Sequence, residues 1–273
     1  MRLFLVLALA VTACVPDPVP IQTTTTTSTP RTTTVDPVVE EPGCFGVGPG
    51  FGEAGVIGSF GSPSTDATVL TGLRWQSDSE CDRVFLDFAT TEGAPALDAP
   101  AMEVTLFRQI GVLRVSFGDE IQTASFAEQR IETGLMSSAF VVRGTDTRLY
   151  LDIHLTEPAL THIVLATSPA RATITLRAGG SAIGVPVRED DIILFPPSSS
   201  SYPFELRGYT RAATEALNVR LISVLDGSTY LFESSVEGEP DTWHEFTIPV
   251  TEGPPGMVLV EIRERVMLEL EPA

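Results

Sequence analysis

The sequence contains no lysine. All 17 of its basic residues are arginines, they face 36 acids, and the formal charge is −19. Without lysine there is no Schiff base on an amine and no phosphate-loop lysine. A chain this acidic also lacks the basic footprint that phosphates require, which excludes nucleic acid as a partner. Histidine is scarce. His154, His162 and His244 fall on three separate candidate strands, with no pair at helical spacing and no His-x-His. A zinc site takes about four ligands, and no third or fourth is in view. No metal centre and no cofactor are expected. Asp152 and His154 lie two apart on one strand face and read as a surface pair or as part of a closing strand. There is no Gly-x-Ser-x-Gly and hence no nucleophile elbow. The run Ser198–Ser201 behind Pro196-Pro197 reads as a loop. The leading apolar run, Leu3–Val11, falls short of the roughly 20 residues needed to cross a bilayer.

That run follows Met1-Arg2, a short positive start, and has the length of a secretory signal peptide, residues 1–13. It ends in Val11-Thr12-Ala13-Cys14, which resembles a bacterial lipobox. The resemblance implies cleavage before Cys14 and a lipid on its sulfur. Two or three acyl chains hold stably in a membrane, at about 0.8 kcal/mol per buried CH₂. Processing would remove one arginine and no acid, taking the charge from −19 to −20. Residues 14–42 then form a tether. It carries Pro16, Pro18, Pro20, the run Thr23–Thr27, Pro30, Thr32–Thr34 and Pro37. Too little apolar surface is present to offset the entropy of ordering it. An extended stalk is expected, either O-glycosylated or an unmodified spacer.

With Cys14 assigned to lipid, Cys44 and Cys81 remain. Outside the membrane such a pair joins. The bridge would staple a Gly-rich segment to the first sheet and contribute about 3–4 kcal/mol.

Helix spacing is almost absent from the rest, and period-two alternation recurs. Val84, Leu86 and Phe88 share one face of a strand, as do Leu149, Leu151 and Ile153, and Ile174 and Leu176. Further strands are expected at Val69–Trp75, Glu103–Phe107, Val112–Phe117, Ala139–Arg143 and Thr161–Ala166. Thr123–Gln129 alone could make a helical turn. The pattern implies an all-β chain with two β-sandwich domains, residues 43–180 and 192–273. A linker over 181–191 joins them. In the second domain strands are expected at Ile192–Phe195, Phe204–Tyr209, Ala216–Leu225, Thr229–Val236, Trp243–Val250 and Met257–Met267. Asp226-Gly227 signals a tight type I′ hairpin.

Two stretches carry family resemblances. Leu73-Arg-Trp-Gln, then Cys81-Asp-Arg-Val-Phe-Leu-Asp-Phe88, resembles the opening of the AMIN-like domain of actinobacterial envelope lipoproteins. Ala139–His154, closing on Arg148-Leu-Tyr-Leu-Asp-Ile-His154, resembles that family's end, although its turn reads Gly-Thr-Asp-Thr without prolines. The wider group is associated with envelope targeting and, in some members, with peptidoglycan or other glycans, and it implies no catalytic residue. Ile193-Leu-Phe-Pro-Pro197, Phe204–Thr210, Asn218–Leu221 and Trp243-His-Glu-Phe246 resemble the immunoglobulin-like module found beside spore-germination (Gmad-type) domains. That resemblance adds fold and address only.

Few residues stand out as sites. Glu189, Asp190 and Asp191 are acids that could attract Ca²⁺, or a solvated acidic linker, and they lack EF-hand spacing. Arg74, Trp75, Arg83 and Tyr150 offer guanidinium and aromatic groups for stacking on a sugar or peptide. The expected protein is a non-enzymatic lipoprotein on the extracytoplasmic face of the membrane. It would bind a cell-wall glycan or an envelope protein, and its charge favours a neutral glycan or a cationic protein surface. An accessory module for a cell-wall hydrolase is the alternative. An enzyme of unrecognised type is the third class, and two facing carboxylates in a deep cleft would mark it.

Overall fold

The computed structural model describes residues 50–199, 201–211, 216–239, 241–263 and 265–270. These are all-β, apart from one 3-10 turn at Arg108–Ile110. None of their helices is long and apolar enough to cross a membrane. Cys14, the tether and Cys44 lie outside the described residues.

The strands run β1 (Gly55–Phe60), β2 (Val69–Ser77), β3 (Asp82–Ala89), β4 (Met102–Phe107), β5 (Val112–Phe117), β6 (Thr123–Ala124), β7 (Glu128–Arg130), β8 (Met136–Arg143), β9 (Leu149–Leu155), β10 (Ala159–Ala166) and β11 (Arg171–Ala178). The second lobe holds β12 (Val187–Glu189), β13 (Ile192–Leu194), β14 (Phe204–Thr210), β15 (Ala216–Ser223), β16 (Thr229–Ser235), β17 (Trp243–Val250), β18 (Val258–Ile262) and β19 (Arg265–Leu270).

A central sheet runs through both lobes in the order β1-β4-β5-β9-β8-β17-β14-β13-β12, with β7 also on β8. A second sheet, β10-β11-β3-β2-β6, covers its first half, and a third, β16-β15-β18-β19, covers its second half. Alternation explains both packings. Val84, Leu86 and Phe88 of β3 meet Leu151 and Ile153 of β9 in one core. Leu217, Val219 and Leu221 of β15 meet Phe246 and Ile248 of β17 in another. Burial of each such side chain contributes about 1.5–3 kcal/mol.

The lobes are joined where β8 and β17 pair in parallel, through Trp243↔Val142 and His244↔Arg143. A third apolar cluster lies there: Val112, Phe140 and Val142 from the first lobe, Ile193, Phe195, Tyr209 and Trp243 from the second. The outer face of the first sandwich is therefore an inner surface of the whole molecule.

Several expectations change. The stretch 181–191 holds β12, which continues the central sheet. It is also seated on the first lobe: the Gly184 N–H donates to the Arg108 carbonyl at 3.1 Å. A Cβ on Gly184 would stand 2.0 Å from the Gln109 carbonyl oxygen. Gly184→Ala is expected to cost about 1–3 kcal/mol, read as a lower urea midpoint at unchanged slope. An unshifted midpoint would mean that this segment does not pack there. Thr123–Gln129 makes no helical turn; its ends belong to β6 and β7. Met257–Met267 is not one strand but the hairpin β18–β19, turning at Arg263 with a positive φ of 52°. Asp226-Gly227 is no type I′ turn, because only Gly227 has positive φ and the loop spans Val224–Gly227.

Candidate functional site

The sequence-derived site residues do not converge. Arg74, Trp75 and Arg83 sit on β2 and β3 of the second sheet, whereas Tyr150 sits on β9 of the central sheet. The Arg74 guanidinium donates to both carboxylate oxygens of Asp87, at 3.0 and 3.2 Å, and Asp87 is shared with Arg171. Arg83 is buried beside Asp78. Trp75 is 37% exposed. Cys81 is buried at the start of β3. Glu189, Asp190 and Asp191 form the β12–β13 turn, where Asp190 has a positive φ of 44°. Asp191 accepts from Arg263 at 2.6 Å. Among the described residues, no three of His, Cys, Asp and Glu gather in a way that could hold a metal ion.

The lobe seam does gather charge. The Arg114 guanidinium of β5 donates to Asp152 of β9 at 2.9 and 2.8 Å. It also donates to the Tyr209 hydroxyl at 3.0 Å and stands 3.5 Å from Glu245 of β17. The Tyr209 hydroxyl in turn donates to Asp152. The guanidinium lies over the Tyr150 ring, 4.5 Å from its centroid. Burial pushes the Asp152 carboxyl up, against the pull of Arg114. For Arg114 burial acts downward, but the charge and hydrogen bonds of Asp152, with Glu245, more than offset it and hold the guanidinium charged. Two carboxylates thus face one arginine, Asp152 from the neighbouring strand and Glu245 from across the seam, and Asp152 is wholly buried. Asp152 is packed between the lobes, while Glu245 and Tyr150 at the edges of the group border clefts.

Asp152 and His154, read as a surface pair or as part of a closing strand, lie on β9 and are no surface pair: both are buried because the second lobe covers that face. The His154 ring packs against Phe140, Phe195 and Tyr209. Burial pushes its pKa down to about 3, aided by the nearby charges of Arg188 and Arg114. The unfolded chain therefore binds one proton more than the folded one between about pH 3 and the ordinary histidine value. This contribution to stability is complete above pH 6.5 and is lost as pH falls toward 3. His154→Phe is expected to flatten the fall in melting temperature across that window. An unchanged acid limb would show that His154 does not bear it.

The accessible space lies elsewhere on the seam. Clefts of about 560, 280 and 780 Å³ all border on Arg143 and Glu239. The first runs between the turn after β8 and the end of β16, over Glu245, Phe246 and Thr247 of β17. The third reaches Asp146 and Arg148, and a fourth cleft of about 590 Å³ continues from Arg148 to Tyr150. Tyr150 is the one sequence-derived candidate on these walls, and its hydroxyl donates to Asp146 at 2.8 Å. Burial and that bond push the Tyr150 hydroxyl up to about 12. The Arg143 guanidinium is engaged by the carbonyls of Thr147 and Gln122, both at 3.1 Å. The His244 ring lies 3.3 Å from the Glu239 carbonyl. Gly238 passes so close to that ring that a Cβ would stand 2.1 Å from it. Arg143 and Glu239 carry no sequence signal: one ends the apolar run Ala139–Val142 of β8, the other lies in the sequence Glu-Gly-Glu-Pro.

No family model, no curated protein and no solved structure matches the chain.

Proposed function

We propose that this chain is a non-catalytic bacterial lipoprotein, anchored through Cys14 to the extracytoplasmic face of the cell membrane. Its β lobes bind an envelope component: peptidoglycan or another glycan, or an envelope protein. The observation that carries the reading is the run of open clefts, with mixed polar and apolar walls, meeting at Arg143 and Glu239. Such walls suit a chain-like ligand laid along the seam. The signal-like start, lipobox and tether support the address. The AMIN-like motif supports the ligand class; its opening stretch lies on β2 and β3 and its closing stretch on β8 and β9, in facing sheets of the first core. A Cys44–Cys81 disulfide belongs to the same proposal: Cys81 is buried beside β3, where a bridge would fix the incoming chain to the fold.

The test uses the full chain. Expressed in a bacterial host with labelled palmitate, it is expected to take up label and remain with membranes, and Cys14→Ser is expected to lose both. An unlabelled wild-type protein would remove the anchor. Purified in detergent, the protein is expected to stay on cell-wall sacculi at low salt and to do so equally or better at high salt, since salt screens its repulsion from anionic wall polymers. No retention at either salt would remove wall binding and leave the protein partner.

A further inference from the structure

We infer that the open edge of β17 is a docking site for an extended, positively charged polypeptide segment, which adds to the central sheet as a strand. The inference rests on the binding reading above and names the partner's chemistry.

The edge follows from register. The Phe195 N–H donates to the Arg207 carbonyl, so the backbone polar groups of Arg207 face β13. Those of Gly208 and Leu206 then face β17, where they meet Phe246 and Ile248. Alternation sends the backbone groups of Glu245, Thr247 and Pro249 to the opposite side. On that side β8 pairs only as far as Arg143↔His244 before the chain turns away at Gly144. The Glu245 carbonyl, both backbone groups of Thr247 and the Pro249 carbonyl are left on an open edge. Pro249, which has no N–H to give, is placed where a missing donor costs least. Among the described residues no loop makes a backbone hydrogen bond to this edge.

The space beside it is the cleft of about 560 Å³. Across the cleft stand Ser234 and Ser235 of β16, itself a sheet edge. The Ser223 N–H donates to the Ser228 carbonyl, which turns the backbone groups of Thr229, Leu231, Glu233 and Ser235 away from β15. Unpaired edges of this kind are templates for a further strand.

Charge selects the occupant. Glu237 and Glu239 are exposed on the cleft wall. The one arginine on that wall, Arg143, already gives its donors to two carbonyls. The chain as a whole carries −19, which disfavours a second copy of itself. Glu245, on the same edge, is held by Arg207 and Arg114 and is not free to repel or attract. A segment alternating basic and apolar residues would satisfy both the backbone edge and the acids.

The probe is a capped nonapeptide of alternating arginine and valine, titrated onto the full chain in detergent. Controls are the same peptide N-methylated at alternate residues, a glutamate-valine peptide, and soluble peptidoglycan fragments. The arginine peptide is expected to bind and to slow hydrogen exchange in the segment holding Thr247. N-methylation is expected to weaken it about tenfold, since two backbone bonds are lost. Glu237→Gln with Glu239→Gln, both exposed, is expected to weaken the arginine peptide severalfold and to steepen nothing in the unfolding curve. Thr247→Pro, which removes an edge donor outside the β14 ladder, is expected to abolish binding. Equal binding of the methylated peptide, unchanged exchange over 245–250, or no binding at all would overturn the inference. So would peptidoglycan fragments protecting these amides while the peptide does not. Retention on sacculi with no peptide binding would leave the envelope-binding reading standing and this inference refuted. Loss of both would refute both.

Discussion

Arg114→Met is expected to lower the free energy of unfolding by about 3–5 kcal/mol, the cost of stranding a buried charge. The residue it strands is Asp152, which is wholly buried and takes its hydrogen bonds from Arg114 and Tyr209. Glu245, which shares the guanidinium, adds a second carboxylate with less compensation. Equilibrium unfolding in urea reads the change directly. The double variant Arg114→Met with Asp152→Leu is expected to recover a substantial part of the loss, because no buried charge then lacks a partner. A double variant as unstable as the single would mean that the cost lies in packing against Tyr150 and Phe107, over whose rings the guanidinium sits. The cycle separates the two terms.

Trp243→Ala is expected to cost a similar amount, about 3–5 kcal/mol, but for a different reason. The indole is fully buried and meets Phe140 edge-on, with ring centroids 5.2 Å apart. The Arg188 and Arg211 guanidinium groups lie over it at 5.8 and 5.6 Å, and both reach toward Glu128 on β7. Truncation removes the centre of the third cluster and leaves Phe140 facing a void. The expected signature is a broadened or biphasic transition, with the two outer cores of β3/β9 and β15/β17 outlasting the seam. A single sharp transition at the wild-type midpoint would show that the seam contributes little.

The all-β architecture was legible because β9, β11 and β15 alternate and β3 keeps Val84, Leu86 and Phe88 on one face. Where reading failed, the cause is specific. Val187-Arg-Glu has one apolar residue in three and resembles a solvated linker, yet it adds to a sheet edge through backbone groups that sequence does not display. Met257–Met267 contains no glycine or proline, so nothing marks the turn that Arg263 makes. Asp152 and His154 occupy alternate positions as solvent-facing residues do. Alternation distinguishes two faces of a strand; it does not say whether the polar face meets water or another lobe. The candidate clefts were invisible for the same reason. Arg143 and Glu239 become neighbours only through the β8–β17 joint, and stacking candidates chosen by residue type fell on two different sheets.

That joint also dictates an order of events during biogenesis. Arg114 and Tyr209 are 95 positions apart, and Val142 must wait for Trp243. Contacts so distant along the chain are slow to form. A polypeptide made in order from its N-terminal side presents Phe140, Val142 and Asp152 well before their covering strands arrive. For that interval the first sandwich carries an uncovered apolar face with a carboxylate at its centre. The carboxylate that is sealed in at the end must until then be solvated by water, and the Tyr209 hydroxyl, arriving with β14, takes over part of that role.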